Sequence, residues 1–337
     1  MVILFLLLGP NIKITQWVGP GEPITYQKWR SLHPSGHFRI GPVVASRDTP
    51  VIDIVVNSSI YDSLLPDLQL LKTDIEADGY SVRIDTASFE NTINGAIALR
   101  NHLISIDGLS GAILIGDLPV PWYQMINRFF DGRDDYEEFP IDLYYMDLDG
   151  VWLDTLKYVG GQFIPGSDSI FDTHEGECGP EIWVSRLTTS PLGDEVKLIR
   201  DYIDRAHRYR EGTLILPDSA LVYVDDDWIP WAFQWSAAVG LAYPNRTLIY
   251  HAESTRASDY RVRLKVGYEW TAVHAHSSFL LHGFKINNGS NWTYFYGYEI
   301  PGLNPDCSFY NLFACSNARY VEEGYMGGRY VFQGSYG

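Results

Sequence analysis

Apolar positions along this chain switch between two rhythms. A β-branched run at 51–56, bounded by turn residues, reads as a buried strand. Over 64–78 the residues Leu64, Leu68, Leu71 and Ile75 recur at helical spacing, and Gly79 ends the run. A strand is expected next at 80–84, a helix over 91–106 and a strand at 111–117. Strand, helix, strand, helix, strand is the pattern of a parallel sheet with helical crossovers. A polar stretch follows from about 131 to 179, with its strongest apolar piece at 141–146. The rhythm resumes with a strand at 180–187 and a helix over 194–210, where Val196, Ile199, Ile203 and Ala206 mark one face. Further strands are expected at 219–224, 247–251, around 270–274, around 309–315 and at 328–333, with helices over 231–241 and 259–266. The fold class is therefore α/β, with mostly parallel sheets flanked by helices. It falls into two similar halves, 49–187 and 188–337, behind an irregular Gly- and Pro-rich arm at 1–48. The chain stops directly after the last expected strand, as a piece of a longer protein would.

Composition narrows the function classes. The 337 residues are 46% hydrophobic and 20% charged, which describes a folded globular chain and not a disordered one. A net charge of −17 argues against nucleic-acid partners, because neutralising phosphates needs a basic surface. The apolar residues at 1–8 are too few to span a bilayer, and no transmembrane span is expected. They resemble the hydrophobic part of a secretory signal without its basic start, and they read equally well as a buried apolar end. Three cysteines are too few for a disulfide scaffold, and their odd number leaves at least one thiol free.

The chemistry gathers at two strand ends. Phe309-Tyr310-Asn311-Leu312-Phe313-Ala314-Cys315 is an apolar run that ends in a thiol and then turns polar. Trp270-Thr271-Ala272-Val273-His274-Ala275-His276 has the same layout with an imidazole at its end. Neighbouring parallel strands would bring both to the C-terminal sheet edge, where open α/β sheets carry their sites. A cysteine there with a histidine partner is a nucleophile with its acid–base group. Cys178 and Cys307 follow no strand. Among the histidines, His276 lies nearest the loop, while His274 and His282 compete with it. His274 and His276 could also form a metal pair, but no third ligand stands at a matching spacing.

These blocks resemble the gingipain branch of the caspase, legumain and gingipain superfamily of cysteine peptidases. The resemblance rests on Val273-His274-Ala275-His276-Ser277-Ser278 and Leu312-Phe313-Ala314-Cys315. Gly116-Asp117, Asp142-Leu143-Tyr144-Tyr145 and Pro180-Glu181-Ile182-Trp183-Val184-Ser185-Arg186-Leu187, taken in order, add to it. It implies a caspase-like fold and a secreted or cell-surface hydrolase acting on protein or peptide substrates. It implies Cys315 as nucleophile, His276 as general acid, and the N–H groups of Cys315 and Ser277 as the oxyanion hole. Ser277 stands where such enzymes have glycine, so the hole depends on backbone angles that suit a side chain. Asp218 is a candidate to orient the imidazole, with a solvated strand-end carboxylate as the plainer reading.

Asp225-Asp226-Asp227-Trp228 ends a strand of the same half. By resemblance, Asp227 beside Trp228 reads a basic substrate side chain; a solvated turn or helix cap is the alternative. Asp147, Asp149, Asp154, Asp168 and Asp172 cluster in the polar stretch around Gly150. Hard cations want such oxygens, so a structural Ca2+ is expected there, with an ion-free acidic loop as the alternative; no organic cofactor is expected. Two other functions stay open. One is a catalytically inactive binding module, which Ser277 favours. The other is a thiol acyl transferase or amidase using the same sheet edge.

Overall fold

The computed structural model describes residues 49–87, 93–128, 134–287 and 289–337; the expected N-terminal arm lies outside them. The first half carries β1 (Val51–Asn57), α1 (Ser58–Ala77), β2 (Ser81–Ala87), α2 (Ile93–Ile104), β3 (Leu109–Ile115) and β4 (Trp183–Leu187). Its strands form a four-stranded, all-parallel sheet in the order β4-β3-β1-β2. Strand β1 is buried on both faces, as a central parallel strand must be. Ile52, Ile54 and Val56 meet Leu64, Leu68 and Leu71 of α1 on one side. Val55 meets Leu99 and Leu103 of α2 on the other. Helix α1 starts earlier than its apolar spacing predicts, because the Asn57 side chain accepts from the Ser59 N–H and caps it.

After α3 (Glu195–Arg210), the second half repeats the plan with β5 (Ala220–Val224), α4 (Ala232–Val239), β6 (Arg246–Ile249), α5 (Ala257–Arg263) and β7 (Tyr268–His274). An antiparallel hairpin of β8 (Leu281–Ile286) and β9 (Asn291–Tyr296) follows, then β10 (Cys307–Phe313) and α6 (Met326–Phe332). The second sheet is also parallel and four-stranded, in the order β6-β5-β7-β10. The architecture is α/β, with parallel sheets flanked by helices.

Two expectations change. The strand expected at 328–333 is helix α6: Met326 and Tyr330 lie four residues apart, both buried, and join the core of the second half. Gly328 lets this helix lie against Tyr325, since a Cβ there would come within 2.3 Å of the ring. The polar stretch is ordered in antiparallel pieces, including a hairpin pairing Trp122–Arg128 with Asp134–Pro140 and a short helix at Leu143–Met146.

Candidate active site at the C-terminal edge of the second sheet

Strands β7 and β10 are parallel neighbours, with His274 opposite Phe313. The ladder continues past the strand ends, where the Ala275 N–H donates to the Phe313 carbonyl at 3.3 Å. His276 follows β7 and Cys315 follows β10, each two residues past the last paired residue, so both lie beyond the C-terminal ends of adjacent parallel strands. Cys315 is exposed in a turn. Its thiol has no hydrogen-bond partner among the described residues. No hydrogen bond joins it to His276, and catalytic contacts of this kind often form only with a substrate in place.

Burial separates the three histidines. His274 is 5% exposed and stacks on Trp235 with ring centroids 3.8 Å apart. His282 is fully buried among Tyr260, Phe284 and Phe295. Burial pushes His274 down to about 4 and His282 down to about 3, so both stay neutral. His276 remains half-buried at the rim. Its Nε2 bonds Asp227 at 2.7 Å, and among the described residues its Nδ1 has no partner.

Asp227 is therefore engaged and does not stand open in a pocket. It takes the His276 ring nitrogen and an ion pair from Lys285 of β8. Partial burial works to raise the Asp227 carboxyl, but Lys285 and His276 together hold it below its usual value. Trp228 lies against the same imidazole, with centroids 4.6 Å apart, and edge-on to Phe313. Both residues expected to read substrate thus sit on the histidine instead. Asp218 cannot orient that ring: it is exposed and precedes β5, at the opposite end of the parallel strands.

Ser277 occupies a backbone position suited to an oxyanion. It pairs with His282 across a short antiparallel ladder, and the next position bonds, Ser278 N–H to the Leu281 carbonyl at 3.0 Å. Bonded and unbonded pairs alternate in such ladders, so the Ser277 N–H points away from β8. Its hydroxyl turns inward to Nδ1 of His282 at 2.7 Å.

The turn after the thiol is strained and pinned. Ser316 has φ +54°, a left-handed conformation that a side chain rarely adopts and that accumulates at functional sites. Asn317, 1% exposed, donates from Nδ2 to the Ser278 carbonyl at 2.7 Å and ties the cysteine turn to the histidine loop. A cleft of about 780 Å3 opens beside this turn, between Ala314, Ser316 and Asn317 on one wall and the strand carrying Glu137 and Glu138 on the other. Both glutamates are exposed.

The five aspartates of the polar stretch do not converge on one ion. Asp154 accepts from the Asp168 and Ser169 N–H groups and the Ser167 hydroxyl. Asp172 accepts from the Thr155 and Leu156 N–H groups, and Asp168 from Gln124. These carboxylates brace loops. Asp147 is fully buried and bonds the Gly150 N–H at 2.6 Å and the His174 ring. Ligand oxygens of Asp147 and Asp149, together with Glu181, do lie within 4.8 Å of one another, while Asp147 also bonds Gly150 and His174.

Asp225 carries a pH dependence of opposite sign to that of the buried histidines. It is fully buried, accepting from the Lys285 N–H, and burial raises its carboxyl to about 7 from 3.8. A raised group contributes stability below its unfolded pKa and loses it as pH rises through the folded one. His274 and His282 are depressed below 6.5, so their contribution fades as pH falls below that value. Asp225→Asn is thus expected to gain stability relative to the parent between pH 5 and pH 8, by about 2–3 kcal/mol. Urea denaturation at the two pH values checks this; a difference independent of pH refutes it. No protein-family model matches this chain, and no curated protein matches it.

Proposed function

We propose that the chain is a cysteine peptidase of caspase-like fold that hydrolyses peptide bonds through Cys315 and His276. The observation that carries the reading is the register of β7 and β10, which sets the histidine loop and the cysteine turn at the same end of adjacent strands. His276 takes the Cys315 proton through Nδ1. The thiolate adds to the scissile carbonyl, and the N–H groups of Ser277 and Cys315 bind the developing oxyanion. The intermediate collapses to a thioester as His276 returns its proton to the leaving amine. Water, deprotonated by His276, then releases the acid product and the free thiol. Asp227 holds the imidazole through Nε2 and stabilises its protonated form, the role of the third member of a triad.

Glu137 and Glu138 line the cleft next to the cysteine turn, across from Arg319, with Tyr136 donating to Glu138, and we assign Glu137 as the carboxylate that would read a basic substrate side chain. Peptides carrying Arg or Lys before the cleaved bond are the expected substrates. Incubation with an equimolar peptide mixture, followed by mass spectrometry of the products, tests both class and preference. Cleavage without a basic bias removes the pocket assignment. No cleavage, and no labelling of Cys315 by an electrophilic peptide ketone, removes the peptidase.

Asp227→Asn is expected to lower kcat by about 10²- to 10³-fold with KM little changed, because the imidazole loses its orienting charge. Steady-state kinetics on the preferred peptide measures this. A rise in KM with kcat unchanged would return Asp227 to a substrate-binding role.

A further inference from the structure

Asp53 is a charged residue in the middle of a buried central strand. Its side chain has no exposed surface, and Oδ1 is buried with no hydrogen-bond partner. Strand β1 runs between β2 and β3, and alternation turns Asp53 and Val55 to the α2 face. His102, near the C-terminus of α2, meets it there. His102 Nε2 lies 2.8 Å from Asp53 Oδ2 and 3.4 Å from Asp85 Oδ2 of β2. Ligand atoms of all three residues fall within 4.8 Å of one another. The group is reachable from solvent, since His102 and Asp85 keep 28% and 32% of their side-chain exposure.

We propose that Asp53, Asp85 and His102 form a binding site for a divalent transition-metal ion, with Zn2+ as the best match. One imidazole nitrogen and two carboxylates make a three-ligand set that leaves a fourth, tetrahedral position for water. The buried Oδ1 of Asp53 lacks a partner, and a cation would neutralise the carboxylate that carries it. On binding, Zn2+ replaces the proton held between His102 Nε2 and Asp53, and that proton leaves to solvent. Arg83 pairs with Asp85 at 2.7 Å in the metal-free arrangement, but it is 48% exposed and free to swing away. The ion would join β1, β2 and α2 in the first half. The candidate active site hangs from the second sheet, so this inference stands apart from the peptidase reading.

The test uses the full chain with its cysteines alkylated, so that thiols cannot bind the metal. Zn2+ is titrated with thermal unfolding as the readout, and Co2+ absorption reports coordination geometry. The parent is expected to gain about 5 °C in Tm at a hundredfold excess over the dissociation constant. It should also show the intense visible bands of four-coordinate Co2+. His102→Ala should abolish both effects, and Asp85→Asn should weaken binding at least about tenfold. Absence of a shift in the parent overturns the site. So does a shift and spectrum that persist unchanged in both variants, since the metal then sits elsewhere.

Discussion

Replacing Cys315 by Ala is expected to reduce peptide hydrolysis by about 10⁴-fold or more while leaving the fold intact. The thiol is exposed and makes no hydrogen bond among the described residues, so its removal costs no packing. The whole loss should appear as transition-state stabilisation. Cys178 is also exposed and Cys307 is buried against Thr271, so Cys178→Ala serves as the control and should retain full activity. Burst kinetics and intact-mass detection of the acyl-enzyme check the assignment. Residual turnover in Cys315→Ala close to that of the parent would mean that the chemistry lies elsewhere.

The second large effect concerns stability. Arg186 in β4 keeps only 6% of its side-chain exposure and donates two hydrogen bonds to Asp142, at 2.9 and 2.7 Å. Tyr320, five residues beyond Cys315, donates to the same carboxylate at 3.1 Å and lies under the guanidinium. Asp142→Ala leaves a buried cation unpaired and is expected to destabilise the chain by about 3–5 kcal/mol. A double variant, Asp142→Ala with Arg186→Met, should recover much of that loss, because the orphaned charge is gone. Denaturant titration of the three proteins measures it. A single-variant loss below about 1 kcal/mol, or no recovery in the double variant, contradicts the account.

What could be read from the chain follows the range of the interactions involved. The parallel sheets were legible because β1, β3 and β5 are mostly apolar and β-branched and α3 is strongly amphipathic. The common layout of the histidine and cysteine strands foretold their adjacency. The hairpin β8–β9 was missed because its alternation is carried by Trp292, Tyr294 and Tyr296, aromatic residues exposed or half-exposed where a polar face is expected. Helix α6 was misread because seven residues with two glycines hold too few turns to declare a period. The partnership of Asp227 with His276 spans 49 residues, and that with Lys285 spans 58; neither leaves a local trace. The same holds for Asn317, whose bond to Ser278 crosses 39 residues. The scatter of the five aspartates was illegible for a different reason. Carboxylate spacing says nothing of the backbone N–H groups that claim Asp154 and Asp172 first.

The continuous ladder between β7 and β10 has a mechanical consequence. The histidine loop and the cysteine turn extend from adjacent paired strands and are tied to each other by Asn317, so they are not two bodies joined by a hinge. The approach of thiol and imidazole when a ligand arrives is then confined to torsions about side-chain bonds, over ångströms and within nanoseconds. A covalent inhibitor should meet a cradle already set, with an onset governed by the reactivity of its warhead and not by any slow closing of the protein around it.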